Sequence, residues 1–154
     1  MLYDAFKTLH IFGIIALVGN VGVTAFWKVF ANRTGNPQVI AFSQRLVTIT
    51  DFVFTAGGIV LVYLGGFGAA WASGLDPFKG WLLWGQILFL VSGGIWIAVL
   101  VPAQIRMAKL AQRFAAGGDI PDAYWRDNRR WLVWGVVSVC PLLVGIWVMV
   151  AKPL

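Results

Sequence analysis

Charge is scarce in this 154-residue chain: Asp, Glu, Lys and Arg together make up 12% of it. There is one cysteine, Cys140, and one histidine, His10. A single thiol excludes an internal disulfide and a cysteine-based metal cage, and no resident metal site is expected. A single imidazole excludes a haem held by two histidines of one chain. The shortage of charge excludes a water-soluble domain of this size. Hydrophobic residues form 60% of the chain and mean hydropathy is +0.81, more apolar surface than a polar shell could cover.

What is present in quantity is apolar length. Four runs stand out, at about 9–30, 46–72, 81–102 and 131–151. Each is close to the ~20 residues with which a helix crosses ~30 Å of hydrocarbon. The pattern predicts an all-α, four-helix transmembrane bundle running up-down-up-down as one integral membrane domain over 1–154. The first run is longer than the apolar core of a signal peptide and lacks a clear cleavage site, so it reads as a retained span. Many of the nine tryptophans sit at run ends: Trp27, Trp71, Trp81, Trp84, Trp131 and Trp134. Indole rings favour the headgroup level, and these are read as interfacial anchors.

The cations divide unequally between the connections. Lys28, Arg33 and Arg45 follow the first run, and Arg106, Lys109, Arg113, Arg126, Arg129 and Arg130 follow the third. Only Lys7, Lys79 and Lys152 fall at the other end. The positive-inside rule then places both basic connections in the cytoplasm and both termini outside, as in a bacterial inner membrane. The pI near 10.0 therefore does not imply nucleic acid. Arg106, Lys109, Arg113, Arg129 and Arg130 are candidates for contact with anionic lipid or a cytoplasmic partner.

Local signals refine the connections. Asn36-Pro37 is an N-cap followed by proline at the first helical position. Asp119-Ile120-Pro121 marks a similar start for the fourth helix. The third helix is expected to continue past Pro102 as a basic arm to Phe114, with a kink at Pro102. Gly66-Phe67-Gly68 lacks the third glycine of a dinucleotide loop and lies within a span. Asn32-Arg33-Thr34 fits a glycosylation sequon but falls on the cytoplasmic side. Small residues, among them Gly13, Gly19, Gly57, Gly58, Gly65 and Gly66, suit close helix contacts in lipid.

Polar side chains inside the runs are the candidate functional residues, because hydrocarbon makes each one costly. His10, Gly13, Leu17, Asn20 and Thr24 share one face of the first helix. Gln44, Thr48, Asp51, Thr55 and Gly58 share one face of the second. Both stripes should point inward. Asp51 would need a cation, for which Lys28 and Arg106 lie at the right level, or a hydrogen-bond network, or a proton-handling role. His10 is either an interfacial residue bonded to a backbone carbonyl, or an axial ligand or proton acceptor. As a haem ligand it could act alone, with Met149 at the same end, or across a dimer. His10 and Asp51 lie near opposite interfaces, too far apart for a direct dyad, with Asn20 and Thr24 on a polar line between them. Gln86 in the third run is a milder case. Ser92 and Ser138 are milder still, since serine can bond back to its own helix. Cys140 reads as an apolar filler.

Met1-Leu2-Tyr3, Leu9-His10, the connection Ala31-Asn32-Arg33-Thr34-Gly35-Asn36-Pro37, Asp51-Phe52-Val53-Phe54-Thr55, Gln104-Ile105-Arg106-Met107, Tyr124-Trp125-Arg126 and Trp147 through Pro153 occur in one order and spacing. In these the chain resembles the predicted integral membrane proteins called domain of unknown function 2269. The layout is similar, more distantly, to the four-helix protoporphyrinogen oxidases and to the membrane domain of copper-resistance D proteins. The shared element is an early histidine, matched by His10. The resemblance implies a role for His10 in handling haem b or a porphyrin; the basic partner that those enzymes place in a later helix has no assigned counterpart here. Three functions are carried forward: a haem- or porphyrin-associated redox protein, a non-enzymatic accessory subunit of a larger membrane complex or homodimer, and a small metal- or ion-handling protein.

Overall fold

In the computed structural model, which describes residues 1–153, four helices account for nearly every position: α1 (Leu2–Arg33), α2 (Pro37–Ser73), α3 (Gly80–Ala115) and α4 (Asp122–Ala151). All four are long and apolar enough to cross a membrane. At 30 to 37 residues each outruns the ~20 needed for hydrocarbon, so the helices project beyond the apolar runs read from sequence. Both termini lie at one end of the bundle, here the terminal end. The cation-rich connections lie at the other, the basic end.

Local chemistry sets the helix boundaries. The Asn36 side chain accepts from the amides of Gln38 (2.9 Å) and Val39 (3.3 Å), capping α2 where Pro37 needs no donor. The loop after α2 opens at Gly74, whose φ of 70° is the left-handed conformation that glycine adopts freely. In that loop Asp76 accepts from the Phe78 amide at 2.9 Å and pairs with Lys79 at 3.2 Å. The Phe78 amide and then Lys79 hold the Asp76 carboxyl below the usual carboxylate range. The fourth helix begins at Asp122, just past Pro121.

Two helices widen by a π-turn in mid-course: α2 at Asp51–Ala56 and α3 at Trp96–Leu100. The irregularity in α3 falls just before Pro102, where the sequence predicts a kink, and α3 continues to Ala115 as the expected arm.

Packing differs between the two ends. Toward the terminal end, α1 lies against α2 and α3 against α4. The α1–α2 contact is close enough to require glycine. A Cβ on Gly13 would lie 2.7 Å from the Val62 amide nitrogen, and one on Gly65 would lie 2.7 Å from both His10 Cα and the Phe6 carbonyl oxygen. Such backbone approach is how helices gain contact in lipid, which offers no hydrophobic push between them. Toward the basic end the two pairs join, α2 meeting α3 and Lys28 of α1 reaching Tyr124 of α4. A core of Ile40, Val47, Leu100, Met107, Phe114 and Tyr124 fills this joint. The bundle is thus closed at its basic end and parted at its terminal end.

Several readings change here. Lys28, counted above as a loop charge, is fully buried. Trp131, read as an interfacial anchor, is also buried; its indole N–H donates to Gln104 Oε1 at 3.2 Å. Trp71, Trp84 and Trp134 do face outward. Ser92 does not bond back to its own helix but donates to the Ser138 carbonyl across the α3–α4 contact at 2.8 Å. Cys140 faces outward.

Candidate functional site

The two polar stripes meet in register. Antiparallel packing sets Gly13 against Gly58, Asn20 against Asp51 and Thr55, and Lys28 against Gln44. Each step of seven or eight residues up α1 is matched by a step of about seven down α2, as helical geometry requires for two facing stripes.

Asp51 is buried where the π-turn of α2 begins. Asn20 Nδ2 donates to its Oδ1 at 2.9 Å and to Thr55 Oγ1 at 3.0 Å, and Thr55 Oγ1 donates to the same Oδ1 at 3.2 Å. Gln104 and Trp96 of α3 also approach the carboxylate. The expected cations do not. Arg106 forms a two-point pair with Asp127 instead, at 2.9 and 2.7 Å on the exposed surface. Thr24 donates to the Asn20 carbonyl at 2.7 Å, within its own helix.

Lys28, offered by the sequence as a loop charge and a possible cation for Asp51, instead forms a buried site of its own. Its ammonium donates to Gln44 Oε1 and, at 3.1 Å, to the Tyr124 hydroxyl. It also lies over the rings of Tyr124 (5.2 Å) and Trp131 (5.7 Å), a cation–π cage. Tyr124 passes its own hydrogen to Asn32 Oδ1 at 3.1 Å, and Asn32 Nδ2 donates to Asn128 at 2.9 Å. The available signal was the stripe itself: one more turn beyond Thr24 lands on Lys28.

The second feature is the opening at the terminal end. A cavity of about 580 Å³ lies between the two helix pairs, within the ~300–1,000 Å³ usual for small-molecule sites. His10 and Met149 line it from α1 and α4, and Gln86 from α3. His10 Nδ1 lies 2.8 Å from the Val62 carbonyl. A carbonyl only accepts, so Nδ1 carries the hydrogen, and the tautomer compatible with this bond has its free electron pair on Nε2. Lys7 and Lys152 stand at the cavity over Tyr3 and Trp81, at 5.6 and 5.4 Å from the ring centres. The Gln86 amide donates to the Pro77 carbonyl and ties α3 to the preceding loop. The Met149 methyl lies over Gly85, where a Cβ would collide with it.

The polar line expected from His10 to Asp51 is broken, because Gly13 and Leu17 fill that face between His10 and Asn20. The polar groups run instead from Asn20 toward the basic end. Arg113, Lys109, Arg129 and Arg130 are exposed there, on the arm of α3 and the first turns of α4.

Four apolar helices around a buried polar seam define an integral membrane protein of the multi-pass helical class. The chain belongs to the family described as predicted integral membrane protein (DUF2269), whose profile matches residues 4–153. No curated protein and no solved structure matches it.

Proposed function

We propose that the terminal cleft binds haem b or a metal-free porphyrin for redox chemistry, with His10 Nε2 as the ligand or acid–base group. The observation that carries this reading is the His10–Val62 hydrogen bond. A backbone carbonyl on Nδ1–H is the usual means of fixing the tautomer and orientation of a metal-binding imidazole. Three features of the cleft suit such a molecule: apolar walls, Met149 on the pair of helices opposite His10, and two lysines at the cavity whose charge suits carboxylates. When bound, haem supplies one-electron chemistry, while His10 sets its position and the apolar walls limit water. The distribution of exposed cations supports a bacterial inner membrane orientation with the termini and cleft outside.

An optical spectrum of detergent-purified protein, expressed with haem supplementation, tests the reading. A Soret band that His10→Ala removes is the expected result. No Soret band together with no porphyrin binding by titration would reject it. Retained binding of metal-free porphyrin in His10→Ala would assign the cleft to the ring and the histidine to the metal.

A further inference from the structure

We infer that Lys28 and Asp51 are two stations for a single proton, which reaches them from the basic end through the Tyr124 hydroxyl. The inference is independent of what the cleft binds. Both groups are buried, and among the described residues neither makes an ion pair within 4.0 Å. They are not isolated from one another. Gln104 receives the Trp131 N–H and approaches Asp51, and Trp131 lies under the Lys28 ammonium. Along α1 the two levels differ by the eight residues from Asn20 to Lys28, roughly 12 Å at 1.5 Å per residue.

Charge balance limits the states available. A lone charge inside an apolar bundle is strongly unfavourable, whereas opposite charges offset one another. Two arrangements have no net charge: ammonium with carboxylate, or amine with carboxylic acid. Both hold one proton between the two groups, so passage from one to the other moves a proton and changes no total charge. The titratable group facing Lys28 is Tyr124 of α4; Gln44 of α2 and Trp131 of α4 are neutral. Around Asp51, Asn20 of α1, Thr55 of α2, and Gln104 and Trp96 of α3 are all neutral.

The hydrogen bonds give this seam a direction. Lys28 donates to Tyr124, and Tyr124 donates to Asn32, which is only half-buried. A proton leaving the Lys28 nitrogen is taken by the Tyr124 oxygen as the tyrosine's own hydrogen passes to bulk solvent, for which the hydroxyl must turn away from Asn32 Oδ1. The reverse sequence loads Lys28. At the Asp51 end, Asp51 and Trp96, which approach one another, each open a π-turn, and such turns are frequent at functional sites.

Infrared spectroscopy of the full chain in lipid nanodiscs reads the carboxylic acid directly. At neutral pH Lys28→Met should place the proton on Asp51, so a protonated-carboxyl band appears. It should be absent from Lys28→Arg, which keeps the charge, and lost from Lys28→Met combined with Asp51→Asn. In the otherwise native chain, Tyr124→Phe keeps the ring but removes the relay oxygen. After transfer to heavy water at constant pH the shared proton should then exchange for deuterium at least about tenfold more slowly, read from the isotope shift of the Lys28 ammonium or Asp51 carboxyl band, to an unchanged final extent. No band in Lys28→Met would overturn the shared proton. Equal rates in Tyr124→Phe and the native protein would overturn the relay, and that arm stands even if Lys28→Met does not fold.

Discussion

Asn20 on the first helix reaches across the helix contact to hold the Asp51 carboxylate at 2.9 Å. This one amide serves two acceptors, since its second hydrogen goes to Thr55. Replacing Asn20 by Leu leaves the bulk and removes both donors. Reversible unfolding in detergent or bicelles should show a loss of about 1–3 kcal/mol, the usual cost of stranding a buried acceptor. Thr24→Val, one turn away, removes a hydrogen bond made only to its own helix. It should cost under about 1 kcal/mol. Equal losses in the two variants would show that the Asn20–Asp51 contact carries no special weight.

Gly65 and Gly22 look alike in the sequence and should behave differently. A Cβ at Gly65 meets the backbone of α1, which cannot move aside as a flexible side chain can. Gly65→Ala should destabilise the bundle by about 1–3 kcal/mol through overpacking. It should also disturb His10, whose backbone forms that contact. At Gly22 nothing lies within 4 Å, and Gly22→Ala should change stability by less than about 1 kcal/mol, in the stabilising direction. Thermal unfolding of the pair in one lipid system checks both.

The helices were legible in the sequence because the length of hydrocarbon leaves a chain this apolar few alternatives. The start of α2 at Pro37 was legible because Asn-Pro is itself the cap. The inward stripes were legible from helical spacing, and Asn20, Asp51 and Thr55 do come together. Lys28 was not, because a lysine near the end of an apolar run has the same appearance as a topology signal. What distinguishes it lies far along the chain: Tyr124 and Trp131 follow it by roughly a hundred residues, and their approach depends on how the helix pairs join. The π-turns were equally hidden, since Asp51-Phe52-Val53-Phe54-Thr55-Ala56 has no glycine or proline to mark one. The cleft is a property of helix pairing, and no local motif encodes it.

Lys28 and Arg106 carry the same formal charge near the same end and should respond very differently to removal. Arg106 is half exposed and paired with Asp127 at the surface, where such pairs contribute about 0.2–1 kcal/mol. Arg106→Ala should therefore be nearly silent in unfolding measurements. Lys28→Ala empties a caged position, strands Gln44 Oε1 and shifts the shared proton to Asp51. Its cost should be at least the ~1–3 kcal/mol of a buried acceptor left unpaired, with the emptied side-chain volume adding to it. Yet Lys28→Ala should leave the orientation of the chain unchanged in a reporter-fusion assay. Of the nine cations at the basic end, the eight apart from Lys28 are all exposed, and exposed cations near the ends of the spans are what set topology. An inverted or mixed orientation in Lys28→Ala would mean that Lys28 acts as a topology signal before it is buried, and that its aromatic cage forms late.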